Sequence, residues 1–456
     1  MGPEAVSAVI VCVGSCAEGR HRAGLIPFAP SWDMLRWKTS GAAIAASAAE
    51  GSTTGRRRVR LGKKLHSVID KVYCLRNLIR ASQKVCSNGG SPGLDGMSIQ
   101  QWRAKEEQNL KSLRSALLEE RYQSKPVKRV YIPKPGDLSK KRPLGIPTLR
   151  ERVCQQAVLQ LLSPAFEEVF FQDSYGFRPG RNTHTAARRI EEMKRQGYRH
   201  VVDLDIENFF GNVDHEILLL LIRKVVKDRR VLGLIRGWLK AGVMEEGKVR
   251  YDVSGTPQGG PISPLLSNIY LTPFDLAMEK AGWHMVRYAD DVLILCKTQE
   301  EAQAALEQAR NLLTELKLRL SESKTKVSSF REGFDFLGFK FGSRKRGVGK
   351  KSMKALYEKV RKATRRQQGD IPIANVIAAV NPIIIGWGNY HREGSNKGLF
   401  STLDKWVRNR IRAYKRRRWR DRGRWKIFSE EQLTQMGLQS LRPLIVNRSK
   451  TQLLLF

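Results

Sequence analysis

Two adjacent carboxylates interrupt what otherwise reads as a buried hairpin. Asp290 and Asp291 stand between two largely apolar strands within residues 283–297. A carboxylate in such a place must be paired, hydrated or bound to a metal ion, because burying an unpaired charge is very costly. Asp is also common in turns, so a simple hairpin cap is the alternative for an isolated pair. The chain must therefore fold so that this turn meets water, a counter-charge or a cation.

A second acid lies on another apolar strand. Asp205 is near the end of the run 201–206, where it is followed by Ile206 and by the aromatic pair Phe209 and Phe210. Acids on two separate strands are what a pair of Mg²⁺ ions about 3.5–4 Å apart requires for in-line phosphoryl transfer. Hard cations prefer oxygen ligands, which excludes the scattered Cys and His residues from this role.

These acids together predict one divalent-ion site. We expect Asp205, Asp290 and Asp291 to be the catalytic ligands of two Mg²⁺ ions, with Ile206 beside them in the metal site and Mn²⁺ as a substitute ion. Clustered carboxylates repel one another, so some of their pKa values should be raised. Removal of the cations by a chelator should abolish activity.

The net charge indicates the class of partner. The 456 residues include 82 Lys+Arg and 44 Asp+Glu, a net charge of +38, and over half of this excess lies after residue 340. Such a chain repels itself unless a polyanion neutralises it, so nucleic acid is the first partner to consider and an anionic membrane surface the second. No apolar run is long enough for a membrane helix. The six scattered cysteines fit a reducing, cytoplasmic location.

Composition and periodicity divide the chain. Residues 1–60 read as a flexible leader or a mis-assigned start, because their composition buries little. A helical stripe begins near Leu61, formed by Leu65, Val68, Ile69, Val72, Leu75, Leu78 and Ile79. Later patterns predict a basic hairpin at 127–146, a buried strand at 201–206 and two strands around an acidic turn at 283–297. They also predict an amphipathic helix at 299–320, a short aromatic strand at 334–341 and a basic helical region beyond 350.

The sequence around the acids resembles a known family. Tyr288 to Asp291 is similar to the Y-x-D-D box of reverse transcriptases. Other blocks follow in that family's order along nearly all of residues 85–430, namely Ser91–Gly96, Tyr131–Pro135 with Arg142–Pro147, Ser174–Arg181, Asp205–Phe210, Gly255–Leu265, Leu320–Lys326 and Phe336–Phe339. So many blocks in one order argue against a chance match.

Two of these blocks resemble one branch of the family. Residues 175–181 and 257–266 are similar to bacterial group II intron proteins rather than to retroviral enzymes, and residues 381–390 and 403–407 resemble their maturase segment. The resemblance implies an α+β fold, in which a right-hand polymerase with an antiparallel palm sheet is followed by a helical thumb/maturase domain.

The resemblance also implies domain limits. Fingers and palm are expected at residues 61–340 and the basic thumb/maturase helices at 350–430. Residues 431–456 are expected to be a short tail, and no endonuclease is expected because no Cys or His follows Leu403.

Roles at the nucleotide site follow from matching positions. Lys134 and Arg142 match residues of the fingers that grip the incoming triphosphate, and a guanidinium suits bidentate phosphate binding. Gln258 matches a residue that touches the nucleotide. Lys324 matches a lysine near the departing phosphates, with a plain surface lysine as the equal alternative.

The aromatic pair carries a further expectation. Phe210 matches an aromatic residue that rejects a 2′-hydroxyl by steric clash against the sugar. Phe209 is expected to face the opposite way, into the core, because alternate side chains of an extended segment point to opposite sides. Gly211 departs from the family, which usually has an acid there, so a departure is expected in the local geometry but not in the metal pair.

The basic C-terminal quarter suits RNA. Cations and aromatic rings interleave there, at Trp406, Arg408, Arg410, Arg412, Tyr414, Lys415, Arg416, Arg417, Arg418, Trp419, Arg420 and Trp425. Phosphate contacts provide affinity, and unstacked bases find aromatic platforms. The implied partners are structured intron RNA, an RNA template with a DNA primer, dNTPs and a DNA target. A solvated basic helix is the alternative for any single residue.

Rival functions come from other classes. The first is an RNA-binding splicing factor, or a relative in phage defence, whose polymerisation is secondary. The second is an RNA-dependent RNA polymerase, which Phe210 and Ala289 disfavour, because such enzymes usually have Gly before the paired acids. The favoured hypothesis is an RNA-directed DNA polymerase of a group II intron that also assists splicing and mobility, located in the bacterial cytoplasm.

Overall fold

A computed structural model describes residues 64–134, 137–245, 248–250, 255, 259–344, 346–365, 371–394, 396–414 and 428–444. The expected leader at residues 1–60 lies outside this part of the chain. The α+β prediction is confirmed, because the described residues form mainly antiparallel sheets packed with helices, followed by a helical region.

The elements up to residue 195 are α1 (Ile69–Tyr73), α2 (Leu75–Ser87), α3 (Ile99–Ala104), α4 (Glu106–Leu118), β1 (Val127–Lys134), β2 (Asp137–Ile146), α5 (Leu149–Glu167) and α6 (Thr183–Arg195). Those up to residue 296 are β3 (His200–Asp205), α7 (Phe209–Asn212), α8 (His215–Val225), α9 (Arg229–Lys240), β4 (Val243–Glu245), β5 (Lys248–Arg250), α10 (Ser263–Lys280), β6 (His284–Tyr288) and β7 (Asp291–Cys296). The remainder are α11 (Gln299–Glu315), β8 (Lys326–Ser329), β9 (Phe334–Phe336), β10 (Phe339–Phe341), β11 (Gly347–Val348), α12 (Lys350–Ala363), α13 (Ile373–His391), α14 (Lys397–Tyr414) and α15 (Glu430–Gln435).

Only some residues of the first predicted apolar stripe are buried. Leu75 and Ile79 are 42% and 37% exposed, whereas Val72 and Leu78 are fully buried. Cys74 has an extended ψ of 127° between α1 and α2. The helix therefore restarts there, and the apolar positions of α1 do not continue onto the same face of α2.

The predicted basic hairpin is present and extends further than expected. Strands β1 and β2 pair antiparallel from Lys128 opposite Ile146 to Lys134 opposite Asp137. The edge of β1 also pairs in parallel with β4, so the sheet order is β2-β1-β4-β5.

The central sheet has the order β6-β7-β3-β8, with every neighbouring pair antiparallel. The two-residue period of its strands sends Val202, Leu204 and Val292 into a large core with the surrounding helices. Val201 and Leu293 face the other way, into a second core with α6 and the aromatic strands. Both faces are thus covered over most of the sheet, and the acids lie at one end of it.

The aromatic segment forms two strands, so the prediction of one strand was wrong. Strands β9 and β10 pair as a hairpin with Phe336 opposite Phe339. Leu337 and Gly338, the two loop residues, have φ of +49° and +76°. Such left-handed pairs are the preferred connection of a tight hairpin. The apolar alternation hid the Leu-Gly turn from periodicity alone.

The amphipathic helix is shorter than expected. Helix α11 ends at Glu315 rather than Leu320, and Lys317 has a left-handed φ of +55°. Leu320 instead forms a bridge with Ile206. The end of this segment therefore joins the central sheet beside Asp205.

The last part of the chain is helical, as predicted, with its own core. Leu356, Val380, Phe400 and Leu403 are buried there. The core also includes Leu433 and Leu441, with 0% exposure, so the expected boundary at residue 430 falls inside it. No helix in the described ranges has the length and apolarity that a bilayer crossing requires.

Candidate active site

Strand register brings the two acid motifs together. Asp205, the last residue of β3, stands directly opposite Asp291, the first residue of β7. Directly opposed residues on antiparallel strands share a face, with Cβ atoms about 4.5–5.5 Å apart. The two carboxylates therefore project from the same face at the same end of the sheet.

The turn carrying Asp290 is tight and strained. Tyr288 pairs with Asp291, so Ala289 and Asp290 alone connect β6 to β7. Ala289 has φ of +59°, a region that residues with a Cβ adopt at a cost. Asp290 is only 9% exposed, and its Oδ1 is buried without a hydrogen-bond partner. An unsatisfied carboxylate oxygen in a buried turn is a position that a cation would fill.

Burial and mutual repulsion raise the pKa values of Asp290 and Asp291, as expected for clustered carboxylates. Burial, then the neighbouring carboxylates, raises the pKa of Asp290 to about 7 and that of Asp291 to about 6. The Arg142 charge opposes both increases, so this residue of the basic hairpin lies within electrostatic reach of the turn. The cluster favours cations electrostatically.

A fourth acid belongs to the cluster. Burial, followed by the charges of Asp291 and Asp205, raises the pKa of Asp203 to about 7. Asp203 lies two residues before Asp205 on β3, hence on the same face. This spacing was visible in the sequence and could have identified the residue. The Lys351 charge, from α12, opposes the increases at both Asp203 and Asp291.

Lys324 pairs with a carboxylate. Its Nζ donates to Asp205 Oδ1 at 3.1 Å, with the lysine side chain 39% exposed. Within the described ranges, no three His, Cys, Asp or Glu side chains are arranged to hold a metal ion together. The acids nevertheless provide an all-oxygen donor set of the kind hard cations prefer, and Asp290 contributes an unpartnered atom. The residues present thus fit a divalent cation.

A buried charged network supports the turn from beneath. The guanidinium of Arg287 and the carboxylate of Asp275 are both 0% exposed and form an ion pair. Arg287 Nη1 also donates to the Ala289 carbonyl at 2.9 Å and to Asn268 Oδ1 at 2.9 Å. The network joins α10 to the strained residue of the turn, and sequence inspection missed it.

The loop before α6 packs directly on the same turn. Asn268 Nδ2 donates to the Gly176 carbonyl at 2.9 Å. A Cβ on Gly176 would lie 2.3 Å from the Ala289 nitrogen, a distance that backbone atoms cannot accommodate. Glycine is required here because two backbone segments meet with no space for a side chain.

The structure places some of the other expected site residues and does not describe the rest. Phe209 and Phe210 are both buried, with ring centroids 5.2 Å apart, and lie in the short helix α7. The expectation that they alternate along an extended segment was therefore wrong. Ile206 is buried beside Asp205. Gln258 and the Lys134 side chain lie outside the described part of the chain, as do Lys415 to Arg420 and Trp425.

The helical region contacts the aromatic hairpin of β9 and β10, which belongs to a separate three-stranded sheet with β11. Tyr390 on α13 stacks on Phe339, with centroids 5.0 Å apart, and donates its hydroxyl to the Leu337 carbonyl at 2.7 Å. The backbone nitrogen of Lys350, the first residue of α12, donates to Asp335 Oδ2 at 2.9 Å. These contacts join α12 and α13 to the aromatic hairpin, and the charge of Lys351, the second residue of α12, lies within electrostatic reach of Asp203 and Asp291.

Comparison with known families agrees with this architecture. Residues 132–341 match the family described as reverse transcriptase (RNA-dependent DNA polymerase). Residues 353–431 match the group II intron maturase-specific domain. The fold and the site thus define a reverse transcriptase joined to a maturase domain.

Individual relatives narrow the assignment. The chain is 35% identical to Protein YkfC of Escherichia coli over 57% of this chain and 79% of that protein. It is 32% identical to the group II intron-encoded protein LtrA of Lactococcus lactis, over 65% of this chain and 61% of LtrA. Among solved structures, a chain of a partial Cas6-RT-Cas1--Cas2 complex matches with 28% identity and a TM-score of 0.36, over 55% of this chain and 42% of that one. The protein belongs to the group II intron-encoded reverse transcriptase and maturase family.

Proposed function

We propose that this protein extends a DNA primer on an RNA template, using dNTPs, at the end of the sheet where β3 meets β7. The observation that carries the proposal is the register of Asp205 opposite Asp291, beside the buried and unpartnered Oδ1 of Asp290. Three acids at one point of a basic protein suit a reaction in which negatively charged phosphates must be bound and displaced.

We assign the residues as follows. Asp205, Asp290 and Asp291 would hold two Mg²⁺ ions, or Mn²⁺ in their place, with Ile206 adjoining the site. Two such ions supply activation of a primer 3′-hydroxyl and stabilisation of the departing pyrophosphate. Arg142, whose charge acts on the turn, would bind the triphosphate together with Lys134. Phe210 would exclude a 2′-hydroxyl, and Gln258 would contact the nucleotide.

Lys324 has a proposed role consistent with its ion pair. Its ammonium lies against Asp205, so it stands beside the place where phosphates would approach the acids. We propose that it contacts the departing phosphates. The contact with Asp205 favours this role over that of an isolated surface lysine.

Primer extension tests the assignment. Asp290→Asn keeps the shape of the side chain and removes the carboxylate, so incorporation should fall by about 1,000-fold or more, from the loss of several kcal/mol of transition-state stabilisation. Asp70→Asn, at an exposed acid of α1, is the matched control and should extend normally. Excess chelator should stop the wild-type protein, and Mg²⁺ or Mn²⁺ should restore it. Equal incorporation by Asp290→Asn and wild type would reject the site.

The choice of nucleotide is tested separately. Phe210→Ala should permit ribonucleotide incorporation, because it removes the buried ring that would block the 2′-hydroxyl. Comparing dNTP and NTP incorporation by wild type and variant measures this. Strong NTP use by the wild type would instead favour an RNA-dependent RNA polymerase.

We propose that the helical region at residues 350–430, continuing through its core residues to Leu441, binds structured intron RNA and assists splicing. Its match to the maturase-specific domain and its exposed cations support this. A DNA target and a role in intron mobility complete the proposal, with the polymerase at residues 61–340 and a location in the bacterial cytoplasm. If splicing assistance survives Asp290→Asn, RNA binding and polymerisation are separable functions of one protein.

A further inference from the structure

The loop that packs on the catalytic turn has one residue whose conformation nothing above explains. Phe177 has φ of +60°, which is a genuine outlier for a bulky side chain. It is also 41% exposed, although both neighbours, Gly176 and Arg178, are buried. A strained backbone that presents an aromatic ring to solvent needs a reason, because strain of this kind tends to occur where binding or catalysis requires it.

The loop before Phe177 is anchored to the turn. The Tyr175 nitrogen donates to the Arg287 carbonyl at 2.8 Å, and the Arg287 nitrogen donates to the Asp173 carbonyl at 3.0 Å. Asn268 holds the Gly176 carbonyl. The backbone that enters Phe177 is therefore tied to β6 and α10.

The loop after Phe177 is anchored as firmly. Arg178 is 6% exposed; its Nε donates to Glu167 Oε1 at 2.8 Å and its Nη1 to the Ser174 carbonyl at 2.9 Å. Its guanidinium also lies over the Phe170 ring, 5.3 Å from the centroid. Phe177 is thus held between two anchored residues, Gly176 and Arg178, and these fix the backbone position from which its side chain is exposed.

The backbone of Phe177 lies close to the catalytic turn. Gly176 touches the Ala289 backbone, and consecutive Cα atoms are about 3.8 Å apart, so Phe177 is one residue removed from that contact. Among the large apolar side chains exposed in the described ranges, the only aromatic ones are Phe177 and Tyr131. The Tyr131 hydroxyl donates a hydrogen bond to Glu245.

We propose that Phe177 is a platform on which a nucleobase of the substrate stacks at the catalytic turn. This inference rests on the proposed polymerase function and adds a binding residue to it. An aromatic face accepts any base, because every base has a π surface. A fixed platform beside the turn would help to align the reacting ends without reading sequence, which is what copying an arbitrary template requires.

The decisive variants separate the ring from the backbone strain. Phe177→Gly removes the ring and relaxes the left-handed residue, whereas Phe177→Trp keeps an aromatic face. Glu120→Gly is the matched control, because Glu120 also has a left-handed φ, of +57°, and lies outside the site. Both glycine variants should melt at or above the wild-type temperature. Only Phe177→Gly should bind template–primer more weakly, by about 10-fold, and Phe177→Trp should bind like wild type.

Three arms identify which base stacks. The fluorescent base 2-aminopurine is placed in the unpaired template beyond the primer, or at the primer terminus, and its fluorescence is measured on binding without dNTPs. The third arm is the KM for the incoming dNTP. One of these three quantities should differ between the wild type and Phe177→Gly. In Phe177→Trp, that quantity should return to its wild-type value.

Each result decides the proposal. Wild-type binding and extension by Phe177→Gly, or failure of Phe177→Trp equal to that of Phe177→Gly, would overturn it. Asp290→Asn should lose extension and keep the fluorescence signal, so loss of the polymerase function alone remains distinguishable. A wild-type protein that binds no template–primer would overturn both proposals.

Discussion

The proposed catalytic turn, at Ala289 and Asp290, and the helical region hold their charged residues in opposite ways. At the turn, Arg287 and Asp275 are completely buried, and Asp290 is 9% exposed. Along α12, the side chain of Lys354 is 65% exposed, and Lys359 and Lys362 also face solvent. Buried charges act through fixed geometry and are costly to disturb, whereas exposed charges act through their number. We therefore expect the proposed chemistry of one region to depend on single atoms, and the proposed RNA binding by the other to depend on total charge.

Among changes that leave the acids intact, the largest effect should come from breaking the backbone contact between Gly176 and Ala289. Gly176→Ala places a Cβ 2.3 Å from the Ala289 nitrogen, so the turn must move. A misplacement of about 1 Å costs on the order of 100-fold in rate, so kcat for primer extension should fall by at least that factor. Steady-state primer extension measures kcat, and a thermal melt measures the stability of the variant.

Its control is a glycine with free space. Gly233 on α9 has nothing within 4 Å of the Cβ position, so Gly233→Ala should keep activity and gain about 0.5–1 kcal/mol of stability. If Gly176→Ala were as active as Gly233→Ala, the turn would not depend on close packing, and the contrast with the helical region would disappear.

An intermediate effect should come from the polar network. Asn268→Asp keeps the acceptor for Arg287 but replaces the amide that donates to the Gly176 carbonyl, so two oxygens face each other. We expect about 1–3 kcal/mol of lost stability and a several-fold increase in the Mg²⁺ concentration for half-maximal extension. Mn²⁺ binding, measured by electron paramagnetic resonance without substrates, gives a readout independent of turnover.

A residue of the same helix provides the comparison. Tyr270→Phe removes two hydrogen bonds, one that the hydroxyl donates to the Leu316 carbonyl at 2.7 Å and one that it accepts from the Asp214 nitrogen at 3.2 Å, and neither involves the turn. It should lose similar stability with unchanged metal dependence. The same metal dependence in both variants would show that Asn268 acts only through stability.

The smallest effects per residue should come from the exposed lysines. Replacing Lys354, Lys359 and Lys362 together by Gln should weaken binding to structured RNA and reduce the slope of log Kd against log salt by about 0.7–0.9 for each phosphate that is no longer neutralised. Replacing the same three by Arg should leave the slope unchanged. Filter binding at several salt concentrations measures both, and an unchanged slope after Gln substitution would place the RNA on another surface.

Sequence reasoning predicted the parts of the fold that local pattern encodes. Apolar runs marked β3, β6 and β7, and the family's blocks indicated Asp205, Asp290 and Asp291 as a cluster. Errors arose where a local signal was weak. The break at Cys74 and the Leu337-Gly338 turn both sit inside continuous apolar patterns, and the short helix α7 took the place of an extended segment.

The sequence by itself determined which residues could form strands and helices, and which acids could serve a metal, because side-chain chemistry and periodicity are local properties. Only the tertiary structure decided that Arg287 and Asp275 pair in the interior, that Asn268 joins them to the Gly176 loop, and that Phe177 is held exposed beside the turn. These contacts join segments distant along the chain. Their energies depend on burial and on distances of a few ångströms, which no local pattern contains.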